Sequence, residues 1–179
     1  MSEDLHVTGL AELQRALDTL PAKIESNILR GALRAGARVQ LLAARAAAPV
    51  GTPAAENVRL YGGRRGALRD SLRIKSVRAP RGVVKIAVSA GGKAKDGADA
   101  FYARFVEKGT KPHDIKPRRH RSLFFAGLLR QVVHHPGARP QPFMERTFDA
   151  TASAAVDAAA AYIRKRLTKQ GIDVPDTGA

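Results

Sequence analysis

Apolar positions in the first fifty residues recur in steps of three and four. In "GLAELQRALDTLP", Leu10, Leu13, Leu17 and Leu20 predict a short helix, with Thr8 as its cap and Pro21 as its stop. Pro21 suits the first turn of a second helix equally well, because its missing N–H costs nothing there. From Ala22 to about Ala47, Ile28, Ala32, Ala35, Val39, Leu42 and Ala46 form one apolar stripe, and Pro49 follows as a stop. Arg30, Arg34 and Arg38 make a basic row on another face, read first as a solvated face and alternatively as a contact for DNA or an acidic neighbour. The period then changes to two. "LRDSLRIKSVRA" and "GVVKIAVSA" carry Leu72, Ile74 and Val77, then Val84, Ile86 and Val88, which predicts a β-hairpin turning at "PRG" with one buried face.

Helical spacing returns in "AFYARFVEKGT", where Phe101, Phe105 and Tyr102 face one way and Gly109 occupies a helix C-cap. "HDIKP", "SLFFAG" and "LLRQVVHH" read as short β segments. Pro142 then opens a last helix running to about Lys169, with Phe148, Ala152, Ala155, Ala159, Ile163 and Leu167 on its apolar stripe. Arg164, Lys165, Arg166 and Lys169 lie at its C-terminal end, where cations complement the helix dipole. Two stretches fit no regular element: Pro49–Ala67, which reads as a long basic mobile loop, and the charged "GGKAKDGAD". The pattern predicts an α+β fold. An antiparallel sheet of about four strands packs against long N-terminal and C-terminal helices, in a single domain over residues 1–170, with 171–179 a flexible tail.

Composition changes this picture little. A chain of 179 residues with 44% apolar positions can bury a core without staples, and it has no cysteine for disulfides or thiolate metal sites. No apolar run is long enough to span a membrane, and "MSEDLHVTGL" does not resemble a secretory signal, so action in a reducing cytoplasm, or in something assembled there, is expected. Charge matters more. With 31 Lys+Arg against 16 Asp+Glu the net charge is +15, which attracts phosphate polymers or acidic protein surfaces. Arg59, Arg64, Arg65, Arg69, Arg73, Lys75, Arg78, Arg81 and Lys85 face a single acid in that stretch, Asp70. Aromatic residues at 5% with no Trp argue against a stacking platform for single strands.

Catalytic chemistry finds little support. The histidines are His6, His113, His120, His134 and His135, with no HExxH and no carboxylate three or four residues after any of them on a helix. His134 and His135 are adjacent on a strand, so they point to opposite faces and cannot share one ion. Glu107, beside aromatics and a glycine, could serve as a base together with His113 or His135, but the simpler reading is a carboxylate that fixes a turn. Ser71, Ser89 and Ser122 lack a nucleophile elbow, and "GGRRG" and "GGKAKDG" match neither phosphate-binding glycine motif. No enzyme, metal or cofactor is expected.

Taken in order, "FYARFVEKGTKPHDIKP", "SLFF" and "VVHHPGARPQPFMERTFD" resemble the siphophage tail-completion or neck protein family, the tail-component family of lambdoid phages of the Hong Kong type. The matching positions are Glu107, Gly109 and Thr110; Pro112, His113, Ile115 and Pro117; and His135, Pro136, Gly137, Pro142 and Phe143. The two N-terminal helices and "GALRDSLRIK" fit as well, while the arginine-rich loop around Tyr61–Arg65 departs from the pattern. The resemblance implies a structural virion protein, made in the host cytoplasm and placed at the head–tail junction. It would form a homo-oligomeric ring, a hexamer matching the tail, that completes the tail and joins it to the connector. The implied partners are other copies of itself, a head-closure or connector protein, a tail terminator or major tail tube protein, and the double-stranded DNA that passes. Arg59, Arg64, Arg65, Arg69, Arg118, Arg119 and Arg121 are the candidate interaction residues, and a basic double-stranded-DNA-binding protein is the alternative reading.

Overall fold

The computed structural model describes residues 10–51, 64–92, 99–117, 122–125 and 127–172. Thr8, most of the two long loops and the tail beyond Ile172 lie outside them. The elements in chain order are α1 (Leu10–Asp18), α2 (Ala22–Ala47), α3 (Ala67–Ser71), β1 (Arg73–Val77), β2 (Lys85–Ser89), α4 (Ala103–Lys108), β3 (His113–Ile115), β4 (Leu123–Phe125), β5 (Leu128–Arg130), β6 (Val133–His135), α5 (Phe143–Ala150) and α6 (Ala152–Thr168). They gather into two compact units, one of residues up to Ala100 together with those from Phe143 onward, the other Phe101–Pro142.

Helix and antiparallel strand are mixed as expected, but the expected sheet of about four strands is not formed. Among the described residues the strands make three separate antiparallel pairs, β1–β2, β3–β6 and β4–β5. The reason is length: four of the six strands have three residues each, too few to recruit a further neighbour.

In the first unit α2 is the axis. Leu13 and Leu17 of α1, Ile28 and Ala32 of α2, and Ala160, Ile163 and Leu167 of α6 form the buried core. Each large aliphatic side chain there contributes about 1.5–3 kcal/mol on leaving water. The stripe predicted for α2 holds only at its start, since Leu42 is 60% exposed and Ala46 is exposed too. Burial passes instead to Ala37, Ala44 and Ala48, about 180° around a helix from Ile28. On that side Arg34 donates to the Ser76 hydroxyl at 3.3 Å and Arg45 to the Leu72 carbonyl at 2.9 Å. α2 therefore packs α6 on one side and the β1–β2 hairpin on the other, and a single apolar stripe could not describe it.

Small residues set how closely α2 and α6 approach. A Cβ added at Gly36 would lie 2.6 Å from the Ala155 carbonyl oxygen, and one added at Gly31 would enter the Tyr162 ring. The C-terminal helix is not continuous as predicted. Thr151 divides it with φ −114° and ψ 8°, its hydroxyl donating to the Thr147 carbonyl at 2.6 Å. Phe148, expected in the stripe, is consequently 56% exposed, whereas Phe143 is buried. Pro142 precedes the first helical residue rather than occupying the first turn.

α6 ends in a Schellman motif that the sequence reading placed in a flexible tail. Gly171, with φ +76°, donates to the Thr168 carbonyl at 3.0 Å and Ile172 to the Leu167 carbonyl at 3.1 Å. Ile172 packs on the core beside Leu167, the hydrophobic contact this cap carries.

The hairpin pairs Ile74 with Val88 and Ser76 with Ile86 on one face, and Lys75 with Ala87 and Val77 with Lys85 on the other. Val77 was expected inward, but it lies three residues from Ile74, out of phase for a strand, and is 46% exposed. The turn is as read: Val83 donates to the Pro80 carbonyl at 3.1 Å, with Gly82 at φ +81°.

Candidate functional site

The basic candidates divide. Arg59, Arg118, Arg119 and Arg121 lie outside the described residues. Arg65 is exposed in the turn before α3. Arg64 and Arg69 converge on Asp70, with contacts of 2.6 Å and 3.0 Å. Their hydrogen bonds, Arg64 first, hold the Asp70 carboxyl below its ordinary range. The single acid of the basic stretch is thus already committed to two of the arginines proposed for interaction.

Just after it, Ser71 is the one buried polar side chain among the described residues. Its hydroxyl donates to the Leu68 carbonyl at 2.7 Å and accepts the Gly91 N–H at 3.0 Å. Arg73 donates to the Ser71 carbonyl at 3.1 Å. The "RDSLR" segment is therefore a junction that ties α3, β1 and the end of β2 together.

The second unit holds the other motif residues. α4 ends at Gly109, φ +69°, and the Thr110 and Ala138 backbones exchange N–H···O bonds of 3.0 and 3.1 Å. The Thr110 hydroxyl accepts the same Ala138 N–H at 2.9 Å. Both glycines are required by the crossing. A Cβ at Gly109 would sit 2.5 Å from the Ala138 carbonyl oxygen, and one at Gly137, φ +86°, would enter the Thr110 carbonyl. Two sequence motifs twenty-odd residues apart are one backbone lock.

Beside the lock, β3 and β6 pair His113 with His135 and Asp114 with His134. Alternation sends the two pairs to opposite faces. The His113 and His135 rings stack, centroids 5.1 Å apart, above an open hollow lined also by Pro112 and Pro136. His113 Nδ1–H donates to the Lys111 carbonyl at 2.9 Å, while His135 Nδ1 accepts the Gly137 N–H at 3.0 Å. These bonds put the neutral-ring proton on Nε2 of His135 and leave Nε2 of His113 as the lone pair, so only one ring offers a ligand atom outward. On the other face His134 Nδ1 meets Asp114 Oδ1 at 2.5 Å, both side chains open to water. No group of three or more His, Cys, Asp or Glu able to hold a metal occurs among the described residues. Glu107 is half-buried on α4, and Pro117 follows β3.

The stacked histidines and the Asp114–His134 pair escaped the sequence reading. Each needs the β3–β6 register, although "HDI" and "VHH" carry it once they are set antiparallel.

A family model described as "Bacteriophage HK97-gp10, putative tail-component" matches residues 11–109, more than half of the chain. The chain belongs to this HK97-gp10-like phage tail-component family. The match spans α1, α2, the Ser71 junction, the hairpin and α4, and it closes at Gly109, where the lock begins. His113, His135, Gly137 and Phe143 lie beyond it. Comparison with curated proteins and with solved structures gives no match.

Proposed function

We propose that this chain is a structural subunit that acts by assembly rather than catalysis, forming a homo-oligomeric ring, a hexamer, at the head–tail junction. There it completes the tail and joins it to the head connector. Family membership supports the tail role. The observation that carries assembly is the amount of apolar side chain left in water: Leu129 is 74% exposed, and Leu42, Phe101, Phe105, Leu128 and Phe148 are each more than half exposed. A monomer gains nothing from such exposure, whereas a subunit buries it against neighbours. The neighbours in this reading are further copies, a head-closure or connector protein, and a tail terminator or tube protein.

Disrupting the gene in a phage and imaging the lysate by electron microscopy tests the reading. Full heads beside unjoined tails, or tails of abnormal length, are expected; normal infectious particles would refute it. A hydrolase built on Glu107 with His113 or His135 is separated by Glu107→Gln, which would abolish a catalytic activity and in an assembly protein would at worst impair assembly.

A further inference from the structure

The outward face of the β1–β2 hairpin and its turn differ from the rest of the basic stretch. Lys75 and Lys85 lie on the same ribbon face, diagonal neighbours in the register Lys75↔Ala87 and Val77↔Lys85. Such diagonal positions sit about 7–8 Å apart. Arg78 and Arg81 continue from them into the turn, and all four side chains are exposed. None of the four has an ion pair among the described residues. No Asp or Glu occurs from Ser71 to Gly92, so the ribbon cannot neutralise itself. The helix packed behind it offers no help. The Arg34 bond to Ser76 places α2 on the opposite ribbon face, and the acid of α2 is Glu25, in its first turn far from the hairpin. Asp70 is held by Arg64 and Arg69, and Asp99 stands next to Ala100, whose N–H bonds to Gly92 at the ribbon end away from the turn.

Four like charges gathered on one two-stranded ribbon repel one another, and a fold that needed them only for solubility would scatter them. We propose that this face docks on the phosphate backbone of double-stranded DNA. A two-stranded ribbon is narrow enough to enter the major groove, and rows of cations without aromatics favour the duplex backbone over unstacked bases. The contact is independent of sequence, because Lys75, Arg78, Arg81 and Lys85 bring charge and no paired amide or carboxylate for reading base edges. The inference deepens the ring reading by naming the surface turned towards the DNA that threads it.

The test uses the purified full-length chain and a short duplex of mixed sequence, with fluorescence anisotropy followed across salt. Four phosphate contacts give a slope of log affinity on log salt of about −3.6, or roughly a hundredfold weakening between about 50 and 200 mM. In the variant Lys75→Gln/Arg78→Gln/Arg81→Gln/Lys85→Gln most of that slope should vanish. A control removing the same charge elsewhere, Arg15→Gln/Lys108→Gln/Lys165→Gln/Lys169→Gln, should change it by less than about one. Equal losses in both variants would mean diffuse attraction to a +15 chain and would overturn the proposal. So would absence of binding at low salt, or capture of poly-glutamate in preference to the duplex, which would make the ribbon a protein-docking face. Circular dichroism of the ribbon variant confirms its fold, since the four side chains carry no core contacts. The binding assay needs no particle, so a failure of the ring reading in the phage assay leaves it standing, and its own failure leaves the ring reading intact.

Discussion

Replacing Gly36 by Ala inverts an ordinary rule. In a helix interior Gly→Ala normally stabilises by about 0.5–1 kcal/mol, because alanine loses less backbone freedom on folding. At Gly36 the new Cβ meets the Ala155 carbonyl oxygen at 2.6 Å and its carbon at 3.4 Å, both backbone atoms of α6. Backbone cannot swing aside as a side chain can, so α2 and α6 must separate and loosen the core over Ile28, Ala32, Ala160 and Ile163. Overpacking of this kind costs about 1–3 kcal/mol, and subtracting the propensity gain leaves a net loss of about 1 kcal/mol at the centre of the range and up to about 2.5 kcal/mol at its top. For a chain of this size that lowers the melting midpoint by about 2–4 °C at the centre of the range and by up to about 10 °C at its top. Gly31 is the internal control, since the nearest atoms to its added methyl belong to the outer end of the Tyr162 ring, a side chain rather than backbone. Gly31→Ala should stay within about 1 kcal/mol of the parent, and in a Tyr162→Ala background it should stabilise by the ordinary 0.5–1 kcal/mol or so. Thermal melts by circular dichroism, with urea titrations at fixed temperature, measure all of these. A midpoint that rises in Gly36→Ala would refute the close helix contact.

Ser71→Ala removes the acceptor of the Gly91 N–H in a dry site and should cost about 1–3 kcal/mol in denaturant titrations, whereas Ser76→Ala, at an exposed 3.3 Å contact, should change little. Gly137→Ala forces an L side chain into a left-handed backbone against the Thr110 carbonyl, so the Thr110 and Ala138 amides should exchange with deuterium far faster than in the parent. Asp70 has a folded pKa below its unfolded one, so its contribution is present above about pH 4 and is lost as pH falls through the lowered value. Asp70→Asn should therefore lower stability slightly at neutral pH and flatten that acid-side loss, an effect that salt diminishes because the pair is exposed. Gly171→Ala should destabilise by about 1 kcal/mol or more, and Ile172→Ser should add to it by removing the contact on Leu167.

Elements with a long, regular period were legible in the sequence. α2, from Ala22 to Ala47, is marked by its repeat between Pro21 and Pro49, and the hairpin by alternation and the Pro80–Gly82 turn. What failed was anything decided by a second surface. One stripe was assigned to a helix that buries two, because Ala37, Ala44 and Ala48 look like filler until a hairpin packs on them. The helix break at Thr151 is a local change of backbone angle, φ −114° and ψ 8°, which no period reveals. At the candidate site, charge counting ranked Arg64 and Arg69 with Lys75 and Lys85. Only geometry shows that Asp70 satisfies the first two and leaves the second pair open. The paired histidines were read correctly as pointing to opposite faces, but their partners across the ladder lie twenty residues away and need the register.

The crossing of Thr110 over Ala138 also bears on how such a chain can change. Its reciprocal bonds fix both ends of the excursion between them without any help from what the excursion contains. Closing a loop twice as long costs only about 0.6 kcal/mol more. Insertions or deletions between the two glycines should therefore leave the end of α4 and the chain at Ala138 joined as they are. The family match stops at Gly109, the threshold of that excursion. The match takes in α1 to α4 with the hairpin between them and leaves out the stretch behind the lock, which is where the chain should tolerate changes of length most readily.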